Sequence, residues 1–131
     1  MADPAISKTS IDMNKFRLRT FVDKLTDMGE VEVHDEPVPL AELSGIIEAT
    51  PKAVLFRKAG PERVELVSSV AGNRRRFAAA FGVPVESAWK ECLKRLESPQ
   101  PVVKVTFAEA PVHEVIIQGN DVDLTKLPFH P

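Results

Sequence analysis

The sequence has 131 residues, 44% of them apolar and 27% charged, with a formal net charge of -2 at pH 7. That is one ordinary domain with enough apolar side chains for a core, which excludes a disordered chain and gives neither nucleic acid nor an anionic membrane a general electrostatic reason to bind. No apolar run approaches the ~20 residues of a membrane span, and the lone Cys92 cannot form an internal disulfide.

Met1 to about Met13 mixes Ala, Pro, Ser, Thr and Lys without periodicity, so a loose tail over residues 1–15 is expected. It lacks the apolar centre of a secretion signal, and a reducing, cytoplasmic setting is the expectation. Leu18, Phe21, Val22, Leu25 and Met28 then form one apolar stripe of a helix that Gly29 closes. Val31 and Val33 alternate with Glu30, Glu32 and His34 as in a strand with one buried face. Pro39 opens a second helix with Leu40, Leu43, Ile46 and Ile47 inside, and Pro51 ends it. The run Ala53–Phe56 predicts a strand covered on both faces. Gly60-Pro61 and the alternation from Val64 to Ser69 make it one arm of a hairpin.

Asn73 is a good N-cap for a third helix, with Phe77, Ala80 and Phe81 expected to face inward and Gly82 to terminate it. A fourth helix opens at Pro84 and places Val85, Ala88, Trp89, Cys92, Leu93 and Leu96 on one side. Beyond Ser98-Pro-Gln-Pro101, the alternation of Val103, Val105 and Phe107 predicts a strand. The β-branched run Val115-Ile-Ile117 before Gly119-Asn-Asp121 predicts another, ending in a turn. The order of elements gives an α+β, open α/β-like fold: a mixed sheet of about four to five strands covered by about four helices.

Few residues suggest chemistry. His34, His113 and His130 fall on separate elements without the spacing of a metal motif, so structural or surface roles are expected. Cys92 lies mid-helix among apolar residues, which favours packing over nucleophilic chemistry. Arg74-Arg-Arg76 puts three cations in the first turn of a helix, against its dipole, so acidic partners within the domain or in a neighbouring one are expected to offset them. Asp121 and Asp123 suit turn stabilisation better than acid–base work. No phosphate-binding glycine loop is present.

Asp121, Val122, Asp123, Leu124, Leu127 and Pro128, within the dense stretch Val115–Pro128, resemble the segment in UbiD-family decarboxylases that leads from the N-terminal domain into the domain binding prenylated FMN. Leu18-Arg-Thr-Phe-Val22 with Leu25, Gly29-Glu-Val31, Val54-Leu-Phe56 and Gly72–Gly82 resemble earlier elements of the same family, so the likeness runs from about Leu18 to Pro128. It departs over Lys58–Val70, where the family commonly carries Gly and Asn near the positions of Ser68 and Ser69.

The resemblance implies a tail over 1–15, a UbiD-like N-terminal α/β domain over 16–110, and over 111–131 the truncated lead-in strand and turn of the cofactor domain. It further implies a full-length enzyme that reversibly decarboxylates an aromatic or α,β-unsaturated carboxylic acid with prenylated FMN, a divalent metal (Mn or Mg) and K. The family's catalytic, cofactor-binding and metal residues lie in later sequence, so none is assigned here, and this chain alone is expected to be a non-catalytic scaffold. Its expected partner is the remainder of that enzyme, a homo-oligomer when full length. A stand-alone small subunit, an interaction module derived from the domain, and an unrelated binding protein are the alternatives.

Overall fold

The computed structural model describes residues 17–99, 102 and 104–127. The expected tail over 1–15, Val103 and His130 lie outside these. The packed unit runs through α1 (Leu18–Asp27), β1 (Val31–His34), α2 (Leu43–Ala49), β2 (Ala53–Ala59), β3 (Val64–Ser68), α3 (Arg74–Phe81) and α4 (Ala88–Glu97). One sheet has the order β1-β2-β3, with β1 parallel to β2 and β2 antiparallel to β3. The α+β arrangement read from the sequence therefore holds, with three strands among the described residues where four to five were expected.

Parallel pairing of β1 and β2 requires a crossover, and the segment carrying α2 makes it. That helix packs on one face of the sheet, where Val38, Leu43, Val54, Phe56 and Ala59 are buried together, flanked by Leu40, Ile46, Ile47 and Leu66. On the other side, α1 lies against β1 and α3, and Val22, Leu25 and Ala78 are buried. Ala53, Val54, Leu55 and Phe56 are buried in succession, as the continuous apolar run predicts for a central strand.

The hairpin turn is fixed by a close approach. Gly60 adopts φ 67°, and a Cβ there would come within 2.7 Å of Leu40 Cδ2. Glycine is thus the residue that both the backbone and the packing permit. The pairing of β2 with β3 shifts register between Phe56 and Ala59; Ala59 pairs with Val64 and also bridges to Val38 on its other side.

Three expectations need correction. On α3 the buried residues are Arg76 and Ala78, whereas Phe77 and Ala80 are exposed. Side-chain hydrophobicity lost to hydrogen bonding in setting the helix rotation, as Arg76 shows below. Among the described residues of 102–127, the strands expected around Val105–Phe107 and Val115–Ile117 do not form. Short 3-10 turns at Phe107–Glu109, Pro111–His113, Gly119–Asp121 and Leu124–Lys126 occur along this stretch. A β-branched run becomes a strand only when a neighbouring edge accepts its backbone groups, and neither β1 nor β3 pairs with it. Third, Cys92 is only half-buried.

The two phenylalanines separate the core from the surface. Phe56→Ala is expected to lower unfolding free energy in urea by about 3–5 kcal/mol, and Phe77→Ala by less than half as much. Equal losses would mean that α3 is rotated as the sequence pattern suggested.

Candidate functional site

Arg76 is the largest fully buried side chain among the described residues, at 2% exposure. Its position is set locally. Asn73 caps α3 by accepting from the Arg76 backbone N–H at 2.8 Å, which fixes the first turn. The side chain then runs under the domain. Arg76 Nε donates to the Ser69 carbonyl at 3.1 Å, and Nη1 donates to the Pro51 carbonyl at 2.9 Å and to Glu30 Oε2 at 3.1 Å. Glu30 precedes β1, Pro51 precedes β2 and Ser69 follows β3, so one guanidinium ties α3 to the ends of all three strands. Only a planar group with several fixed donors meets acceptors so placed; a lysine ammonium does not.

Glu30 collects the charge of this turn. Its carboxylate accepts from Asn73 Nδ2 at 3.2 Å and also pairs with Arg75 at 3.1 Å. The Asn73 hydrogen bond, followed by those of the two arginines, holds its pKa below the usual carboxylate value despite opposition from burial. The acidic partner expected for Arg74–Arg76 is therefore intramolecular for Arg75 and Arg76. Glu30 itself was not legible in that role, because it lies 46 residues away and reads as the polar side of a strand.

Two backbone features surround the guanidinium. Ser69 has φ 60°, a left-handed conformation that Gly and Asn tolerate better than Ser, and its carbonyl also accepts from Gly72 N–H at 2.9 Å. A Cβ on Gly72 would sit 3.0 Å from Arg76 Nη2 and 3.1 Å from the Ser69 carbonyl oxygen. Ser69 thus stands where the backbone is strained for a residue with a side chain.

A second polar cluster borders an open groove of about 570 Å³ between α1 and the β2–β3 hairpin. Leu18, Val22, Leu55 and Val67 supply its apolar lining. Glu65 bridges Arg19 of α1 and Arg57 of β2, the latter at 2.7 Å. The Arg57 hydrogen bond is the main reason its pKa is lowered.

The remaining candidates have local partners. His34 stacks on its cross-strand neighbour Phe56 with centroids 5.4 Å apart and donates to Glu32 at 3.0 Å. His113 stacks on Phe107 at 3.7 Å and donates from Nδ1 to the Phe107 carbonyl. Asp123 accepts from Thr125 N–H at 3.0 Å and Oγ1 at 2.6 Å, which is the turn role expected. Asp121 ends a separate 3-10 turn. The structure does not bring these residues together, and among the described residues no group of three or more His, Cys, Asp or Glu could hold a metal ion.

At the groove, Arg19 and Arg57 are engaged by Glu65, and Arg17 also lines it.

A family model, UbiD_N, for the 3-octaprenyl-4-hydroxybenzoate carboxy-lyase N-terminal domain matches residues 22–96. Two solved structures of the UbiD-class enzyme HmfF from Pelotomaculum thermopropionicum are similar at 30% identity and a TM-score of 0.71, one in complex with FMN and one an evolved dimeric form in complex with prFMN. Each similarity covers 84% of this chain but only 25% and 26% of the HmfF chains, so this chain spans about a quarter of their length.

Two measurements test the Arg76 cluster. Arg76→Ala removes one of Glu30's partners and leaves the Pro51 carbonyl without its side-chain donor and the Ser69 carbonyl with Gly72 N–H alone, and is expected to cost about 3 kcal/mol in chemical denaturation; Arg76→Lys should recover less than half of that, and Gly72→Ala should weaken the same contacts. Glu30 has a depressed folded pKa, so its contribution is fully present above the unfolded value, about 4.3, and is lost as pH falls through the folded pKa. The stability gap between wild type and Glu30→Gln should therefore be constant from pH 7 to about 5.5 and narrow at lower pH. A gap independent of pH down to acid unfolding would contradict the ion pair.

Proposed function

Because the chain belongs to the UbiD_N family, the 3-octaprenyl-4-hydroxybenzoate carboxy-lyase N-terminal domain, we propose that it is the N-terminal scaffold of a UbiD-like enzyme that reversibly decarboxylates an aromatic or α,β-unsaturated carboxylic acid. The observation that carries this reading is coincidence of boundaries. The family match over residues 22–96 falls within the packed unit from α1 to α4, Leu18 to Glu97. The aromatic acid in the family description and the flavins of the HmfF structures support the substrate class and cofactor.

The lengths leave room for a division of labour, and the family resemblance implies how it runs. The rest of the enzyme holds prenylated FMN with its divalent metal and K, and supplies the acid–base groups and the contacts of a homo-oligomer. This domain contributes a rigid layer on which that part is built. Its short polar contacts at Arg76 and Glu65 join its own elements to one another.

The test is a comparison of two polypeptides. A full-length form loaded with prenylated FMN should release carbon dioxide from an aromatic or α,β-unsaturated acid, whereas the 131-residue chain should neither retain flavin absorbance nor turn over. Carbon dioxide release by the short chain alone would overturn the assignment.

A further inference from the structure

Along α4 and the turn before it, Val85, Trp89, Leu93 and Leu96 recur at helical spacing on one stripe and are 44%, 69%, 41% and 71% exposed. Their neighbour Ala88 is buried, and Arg95 lies over Phe81 of α3 at 4.7 Å. The helix is therefore already seated along the edge that carries Ala88 and Arg95, and the adjoining apolar stripe is left over. A large apolar side chain presents roughly 150–250 Å² when fully free, so the four fractions amount to on the order of 400 Å² of apolar surface.

We propose that this stripe is the docking face for the remainder of the full-length enzyme, an apolar surface supplied by the same polypeptide. The inference rests on the functional reading above. A stable complex of separate chains buries about 800 Å² on each partner, little more than half of it apolar, so for a second copy the stripe would have to serve as the whole apolar part of the interface. A tethered partner loses far less translational freedom on docking and needs less area. Length agrees, since about three-quarters of each matched HmfF chain lies outside the part that this one spans.

Hydroxyl-radical footprinting of the full-length enzyme and of the 131-residue chain decides the matter, read by mass spectrometry at Trp89, Leu93 and Leu96. At least tenfold less oxidation of Trp89 and Leu96 in the full-length protein, with the short chain monomeric by light scattering, is the expected result. In the full-length protein, Leu96→Glu should accelerate proteolysis within residues 98–103 at least fivefold while leaving the melting temperature of the short chain unchanged. Equal oxidation in both proteins overturns the proposal, as does a short chain that dimerises and protects Trp89 by itself. Flavin absorbance and carbon dioxide release on the same full-length sample report separately on the functional reading. Protection without decarboxylation would remove that reading and leave the docking face standing.

Discussion

A guanidinium withdrawn from water has to find acceptors for its donors inside the protein, and Arg76 finds them at the ends of three strands. Losing that hydration costs several kcal/mol before any partner is met. Satisfaction by Glu30 and by the Pro51 and Ser69 carbonyls offsets the cost only if α3, the loop before β2 and the loop after β3 take one arrangement. The interaction therefore specifies geometry more than it adds stability. It fixes the rotation of α3, which sends Phe77 toward solvent, and it places a strained Ser69 and a side-chain-free Gly72 where the guanidinium passes.

With that layer fixed, the chain divides into a packed part and a surface-rich part. Residues up to α4 share a core around Leu43, Val54 and Phe56. The described residues from 104 to 127 are held chiefly by neighbours in sequence: the Thr106–Glu109 capping box, the Phe107–His113 stack and the Asp123 cap. One exposed ion pair, Lys126–Glu62 at 3.5 Å, ties this stretch back to the hairpin turn. Val105, Phe107, Val115, Ile117 and Leu124 stay exposed. Among the described residues this stretch thus keeps an apolar, exposed character, and the α4 stripe extends the same character back onto the domain.

Most of the packed part was legible because its signals are local. The spacing of Leu18, Val22 and Leu25, the capping side chain of Asn73 and the alternation in Val64–Ser68 each state a period or a backbone conformation within one segment. What escaped was non-local. Nothing near Arg76 announces Glu30, and a helix rotated to bury an arginine looks, in sequence, like one rotated to bury Phe77. The extra strands failed for a related reason, since Val115-Ile-Ile117 declares a propensity but cannot declare an edge to pair with. Family likeness behaved in the same way. It was densest over Val115–Pro128, yet the matched family domain ends at residue 96, where the packing also ends.

The central claim, that a buried arginine organises this domain, is tested most directly by heteronuclear NMR of the arginine side chains at neutral pH. The account predicts a separate, slowly exchanging Arg76 Nε–H with through-space contacts to Pro51 and Ser69, distinct from the rapidly exchanging signals of surface arginines such as Arg74. An Arg76 signal that exchanges with water as fast as theirs would contradict it.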